Sequence, residues 1–126
     1  MFQVDVMSRT PIYEQLVNQT EQFILAGVLN AGDKLPSVRS LSMELAVNPN
    51  TIQKAVAELD RRGLVTSVPG KGCFISENAG KLLSDARRGD LGILRERLAE
   101  FKLAGVSKEE IMACVEAVFD EEETEK

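Results

Sequence analysis

Apolar positions in the first two thirds of the chain follow a helical period three times and then a strand period. Ile12, Leu16, Gln19, Thr20 and Phe23 fall along one side of a helix, with Ile24 beside them. Thr10 is a good N-cap, Pro11 suits the first helical position, and Gly27 stops the helix near Ala26. Ahead of it, the alternation of Phe2, Val4 and Val6 fits either a short strand or a segment packed on the body. Val28 to Pro36 is a connection with Asn30, Gly32 and Asp33 as turn formers. Ser37 caps a second helix reaching about Leu45, with Val38, Leu41, Ser42 and Leu45 inward. Ala46-Val47-Asn48 is a tight turn, with Val47 packing inward. Asn48 then caps, and Pro49 opens, a third helix that runs to Arg62 and is stopped by Gly63. On its wheel Ile52, Ala55, Val56 and Leu59 form the core stripe. Asn50, Lys54, Ala57 and Arg61 lie opposite, with Gln53 on the flank. Leu64 to Val68 and Cys73 to Ile75 read as strands joined by a Pro69-Gly70-Lys71-Gly72 turn.

The pattern changes after Ile75. Residues 76–80 read as a linker. Leu91, Leu94, Leu98 and Phe101 recur at three-four-three spacing, a seam for another helix. Gly89 and Gly92 weaken helix formation, so this helix either runs from Lys81 with a bend or begins afresh at Asp90; Gly105 ends it. Ser107-Lys108-Glu109-Glu110 is a capping box for a last helix carrying Ile111, Val115, Val118 and Phe119 on one side. The acidic tail from Asp120 is expected to fray. The fold class is therefore mainly α with a small β-wing. A winged helix-turn-helix domain (1–76) is followed by a linker (77–80) and a two-helix C-terminal region (81–126). Two short helices cannot bury their stripes alone; they either dock on a second copy or fold back on their own winged domain.

Composition changes the picture only in part. The 126 residues, 44% of them hydrophobic, can form a core, and the net charge of −5 argues weakly against a nucleic-acid partner. The distribution reverses that hint. From Lys34 to Cys73 there are six basic and three acidic residues, a local charge of +3; from Ala79 on there are eight basic and twelve acidic, a local −4. A basic module joined to an acidic one fits a DNA reader with a separate assembly element, although charged faces that are merely solvated give the same count. Two well-separated cysteines and no histidine leave no disulfide framework or zinc site. No secretory signal and no run of transmembrane length is seen, which points to a reduced, cytoplasmic protein. Paired carboxylates in a defined pocket, a metal-ligand cluster and a phosphate loop are all missing, so the chain is not expected to be an enzyme and no cofactor is expected.

The run LPSVRSLSMELAVNPNTIQKAVAELDRRGLV, followed by GKGCFI, resembles the winged-helix domain of the GntR family of bacterial transcription regulators. Upstream, Pro11-Ile12-Tyr13-Glu14-Gln15 and Gly32-Asp33-Lys34-Leu35-Pro36-Ser37 resemble the family's opening, so the likeness covers about residues 8 to 76. It implies that Arg39 is a DNA-contacting arginine and that Ser37 lies near a phosphate. It also implies that Asn50, Thr51 and Gln53 face bases and phosphates, and that Gly70, Lys71 and Gly72 form a wing tip reaching the minor groove. Lys54 joins them as a phosphate-neutralising residue of the outer face. Pro49 departs from the family, standing where relatives carry a polar contact residue; it has no donor, so base readout is lost there or moves to Asn50 and Gln53. The short C-terminal helices resemble the YtrA-type branch, in which such helices mediate dimerisation. That assigns Leu91, Leu94, Leu98, Phe101, Ile111, Val115, Val118 and Phe119 to a dimer interface.

The expected function is a sequence-specific transcription regulator, a homodimeric repressor that binds a palindromic double-stranded DNA operator. It would use the 49–62 helix in the major groove and the 66–75 wing in the minor groove. The rival reading is a winged helix used as a protein-interaction module, which calls for an apolar or acidic outer face on the third helix; Asn50, Lys54 and Arg61 argue against it. An unidentified small-molecule effector is a further expected partner, its place a small cavity between the C-terminal helices and the winged domain; the sequence names no ligand, and no membrane partner is expected.

Overall fold

A computed structural model describes residues 1–121 as six helices and one two-stranded sheet. Contacts divide the chain into two compact units, Met1–Ser84 and Asp85–Lys126.

The first unit begins with an extended arm and not a strand. Phe2 is buried and meets Phe23 edge-on, with ring centroids 5.3 Å apart, while Val6 is exposed. Two glutamines of the first helix, α1 (Ile12–Leu25), take the place of a neighbouring strand. Gln15 accepts from Asp5 N (2.8 Å) and donates to Asp5 O (2.9 Å), and Gln19 exchanges the same pair of bonds with the backbone of Gln3. The start of α1 also differs from expectation. Pro11 holds the N-cap position in extended backbone (ψ 148°), with no side-chain cap, and the carbonyl of Thr10 accepts from Gln15 Nε2. The buried stripe of α1 is Leu16, Val17, Thr20 and Ile24. Thr20 keeps its hydroxyl satisfied in the core by donating to Leu16 O at 2.8 Å.

Helices α2 (Val38–Leu45) and α3 (Pro49–Arg61) form the helix-turn-helix. Ser37 accepts from Ser40 N at the start of α2, and Asn48 accepts from Asn50 N at the start of α3, as expected of both caps. The turn depends on Ala46, which adopts left-handed backbone at φ 55°, and on Ser42, whose hydroxyl donates to Val47 O at 2.6 Å. Ile52, Ala55 and Leu59 bury the inner face of α3 against α1 and α2, while Val56 is half-buried. Gly63, at φ 79°, turns the chain into β1 (Val65–Val68), which pairs antiparallel with β2 (Gly72–Ile75) in the register Val65↔Ile75 to Val68↔Gly72. The sheet gains a short third edge. Ile75 N donates to Asp33 O, Leu35 N donates to Cys73 O (both 2.8 Å), and Lys34 bridges Phe74.

The expected linker at 77–80 is corrected: helix α4 (Ala79–Gly89) starts inside it, and Ala79 is 1% exposed in the core. The choice left open near Gly89 resolves as a break. Asp90 interrupts the helix between α4 and α5 (Leu91–Leu103), so three helices follow the wing where two were expected. Helix α6 (Lys108–Asp120) begins with the capping box: Glu110 N donates to Ser107 Oγ (3.1 Å) and Ser107 N donates to Glu110 Oε2 (2.8 Å). That backbone hydrogen bond from Ser107 also lowers the pKa of Glu110. The acidic tail expected to fray lies outside the described residues beyond Glu121. No helix among the described residues is long and apolar enough to cross a membrane.

Candidate nucleic-acid interface

Caps and core contacts decide which polar groups of the helix-turn-helix remain available. With the inner stripe of α3 buried, Asn50, Gln53 and Lys54 are exposed and Thr51 is half-buried. Asn48 spends its carbonyl oxygen on the cap, whereas the side chains of Asn50 and Gln53 have no hydrogen-bonding partner among the described residues. Two free carboxamides, each able to pair bidentately with adenine, therefore stand on the first two turns of α3. Pro49 occupies the helix start and presents no donor. Arg39, in the first turn of α2, is exposed and pairs with no carboxylate among the described residues. Ser37 is exposed, with its oxygen engaged in the cap.

Two cations of the expected face are less free than the wheel implied. Lys54 sits with its ammonium 4.2 Å from the centroid of the Tyr13 ring, a cation–π contact that ties α3 to α1. Arg61, opposite the core stripe, is held by Glu58, with Nε donating to Oε1 at 2.9 Å. Arg62 donates to the same carboxylate at 2.7 Å and to Glu21 of α1 at 2.7 Å. This cluster closes the C-terminal end of α3 and removes Arg61 from the set of free cations. The sequence held the signal, since Glu58, Arg61 and Arg62 are three and four residues apart.

Hydrogen bonds from Arg61 and then Arg62 hold the Glu58 carboxyl at about 2, below its usual 4.5, and its hydrogen bonds raise both arginines. A lowered carboxylate stabilises the folded chain above the unfolded value, and that advantage is lost as pH falls through the folded one. Melting curves should therefore show wild type ahead of Glu58→Gln near neutral pH, with the gap closing as pH drops from about 4.5 toward 2. A gap that stays constant across that window would reject the ion-pair cluster.

The wing carries Lys71 at its tip. Lys71 N donates to Val68 O at 2.9 Å, and the flanking Gly70 and Gly72 adopt φ 78° and 128°. Lys34, which no sequence argument selected, lays its side chain across Gly72: a Cβ built there would meet Lys34 Cε at 2.7 Å. Its signal was the polar-apolar step Lys34-Leu35 in a stretch read as a connection but paired to the sheet. Lys34, Ser37, Gly70, Lys71 and Gly72 line one groove between the start of α2 and the wing. Cys73 is half-buried nearby, and burial raises its thiol pKa.

The eight candidate dimerisation residues divide. Leu94, Leu98, Phe101, Ile111 and Val115 line one apolar groove between α5 and α6, joined by Val106 and by Cys114, which the sequence reading passed over. Leu91, Val118 and Phe119 lie outside it and are exposed, Phe119 at 83%. Neither α5 nor α6 has a buried residue.

Residues 12–75 match the model of the family described as bacterial regulatory proteins, gntR family. The chain is 38% identical over 122 residues to the HTH-type transcriptional repressor YtrA of Bacillus subtilis (strain 168), covering 94% of this chain and 92% of the relative. A crystal structure of a transcriptional regulator from Oenococcus oeni superposes with a TM-score of 0.74 at 33% identity, covering 92% of this chain and 97% of that one. The DNA-binding domain of AraR, solved in complex with operator ORE1, matches with a TM-score of 0.52 at 28% identity, covering 60% of this chain and 93% of that one.

Proposed function

The chain belongs to the gntR family of bacterial regulatory proteins, and from that premise we propose that it works as a homodimeric repressor on a palindromic operator. It is a DNA-binding transcription regulator and not an enzyme. In the proposed complex, each protomer lays the N-terminal turns of α3 in a major groove, with the carboxamides of Asn50 and Gln53 on base edges. Arg39 reaches a guanine or phosphate from α2, and the Gly70-Lys71-Gly72 tip enters the neighbouring minor groove. Ser37, Thr51 and Lys54 lie at the margin of this surface as phosphate contacts. The reading rests on one observation. The exposed side of the helix-turn-helix carries polar and cationic groups without internal partners, while its acidic neighbour Glu58 is turned to Arg61 and Arg62.

A two-fold partner accounts for the second unit. Its apolar groove and the bare faces of α5 and α6 need cover, and a second copy supplies matching helices; the groove is thereby assigned to the partner chain and not to a metabolite. The winged helix (1–76) is the DNA-binding part of this scheme and the region from 81 the dimerisation part. A regulator that acts on the chromosome works in the cytoplasm.

Replacing Arg39 with alanine is expected to cost about 1–3 kcal/mol of affinity for DNA from upstream of the protein's own gene, measured by anisotropy titration. A loss below a few tenths of a kcal/mol would remove Arg39 from the interface.

A further inference from the structure

Lys34 makes no ion pair among the described residues, its backbone neighbours are held by hydrogen bonds, and its stem rests on a glycine. Its backbone is held at the edge of the sheet, where Gly32 N donates to Ile75 O (2.9 Å), Ile75 N to Asp33 O and Leu35 N to Cys73 O. Leu35 is thereby sunk in the core at 5% exposure, while its neighbour Lys34 stays exposed. The stem of Lys34 then crosses Gly72, with Cε 2.7 Å and Nζ 3.6 Å from the point a Cβ would occupy. Gly72 is required by its own backbone, at φ 128°, and the bare face it leaves is where the flexible stem of Lys34 rests. The ammonium is delivered beside the wing, in the groove that Lys71 and Ser37 also line. A lysine free in solution loses much rotamer freedom on binding; one already laid on a glycine loses less.

We propose that Lys34 is a phosphate contact of the wing, its stem held on Gly72 so that its ammonium meets the DNA backbone alongside Lys71. The proposal rests on the DNA-binding reading above. It assigns Lys34 an affinity role without sequence preference, because a lysine head on a phosphate carries no base information.

The test is Lys34→Met, which keeps an apolar stem on Gly72 and removes the charge, with Lys34→Arg as the charge-restoring partner. Anisotropy titrations across a salt series would use two DNAs: the upstream fragment and an unrelated duplex of equal length. Lys34→Met should weaken both by the same factor, roughly 3- to 10-fold at low salt, and lower the slope of log affinity against log salt by about one; Lys34→Arg should restore both. Thermal melts of all three proteins separate a charge effect from unfolding, and Lys34→Gln, also neutral and expected to show the same loss, carries the readout if the methionine variant folds poorly. Unchanged affinity and slope in Lys34→Met, with Arg39→Ala impaired, would overturn the proposal while leaving the DNA-binding reading in place. A loss confined to the upstream fragment would also overturn it. Wild-type protein that binds neither DNA at low salt would remove the reading and the proposal together.

Discussion

Replacing Ile52 with alanine is expected to lower the unfolding free energy by about 2–5 kcal/mol, the cost of deleting a fully buried branched side chain that its neighbours cannot replace. Ile52 is 0% exposed and packs with Leu16, Leu41, Ala55 and Leu59 around a cavity of about 20 Å³. That void is apolar and barely large enough for one water, so the substitution enlarges an empty space and offers no new polar partner. Small domains hold only about 5–15 kcal/mol of stability, so the loss is a large fraction of the total and the variant should melt well below wild type. Urea denaturation at unchanged m-value measures the loss. Gln53→Ala, one residue along on the exposed side of α3, should stay within about 0.5 kcal/mol of wild type. A comparable loss from both would mean that the inner and outer faces of α3 are wrongly assigned.

A charge placed in the apolar groove of the second unit should have a larger effect on binding than on folding. Phe101 is 51% exposed in the isolated chain and lines the groove with Leu94, Leu98, Ile111 and Val115. If a second copy covers that groove, Phe101→Asp buries an unpaired carboxylate at the interface, and the protein should sediment as a monomer at micromolar concentration. The winged-helix unit keeps its own core and should melt much as before. Operator affinity should fall by about two decades or more, because one protomer on one half-site loses the effective-concentration advantage of a linked pair. Val6→Asp is the control: Val6 is 75% exposed in the N-terminal arm, and a charge there should leave the dimer intact. A Phe101→Asp protein that remains dimeric would place the interface elsewhere.

The parts of the fold that were legible in the sequence are those decided within a few residues. Ser37 and Asn48-Pro49 mark helix starts, Gly63 marks a stop, and Ser107 with Glu110 marks a capping box, because each satisfies backbone groups of its own turn. The parts that were not legible depend on distant partners. Gln15 and Gln19 occupy positions that a helical wheel scores as merely polar, yet their amides bind an arm ten and sixteen residues away. Ala79 sits in a stretch with linker composition and is buried because α4 needs a small side chain against the core. A fresh start at Asp90 is one of the two courses that Gly89 and Gly92 leave open, and it is the one found; nothing local decides it over a bend, since Gly92 lies inside α5 undisturbed. On the helical wheel, angle alone places Arg61 among the free groups of the outer face of α3. The carboxylate three residues earlier decides otherwise, and spacing could have shown it. Lys34 was out of reach for a different reason: the glycine its stem rests on lies thirty-eight residues on.

As proposed, this regulator reads DNA as a two-fold dimer through the outer side of α3 and the wing. The most direct measurement is a titration of wild-type protein against its upstream DNA and a scrambled duplex, with stoichiometry read at saturation and affinity followed from about 50 to 200 mM salt. Selective binding of two chains per site is expected, with affinity falling by orders of magnitude across that range because several phosphates are neutralised. Binding that is equal on both duplexes, or absent at low salt from a folded dimer, would contradict it.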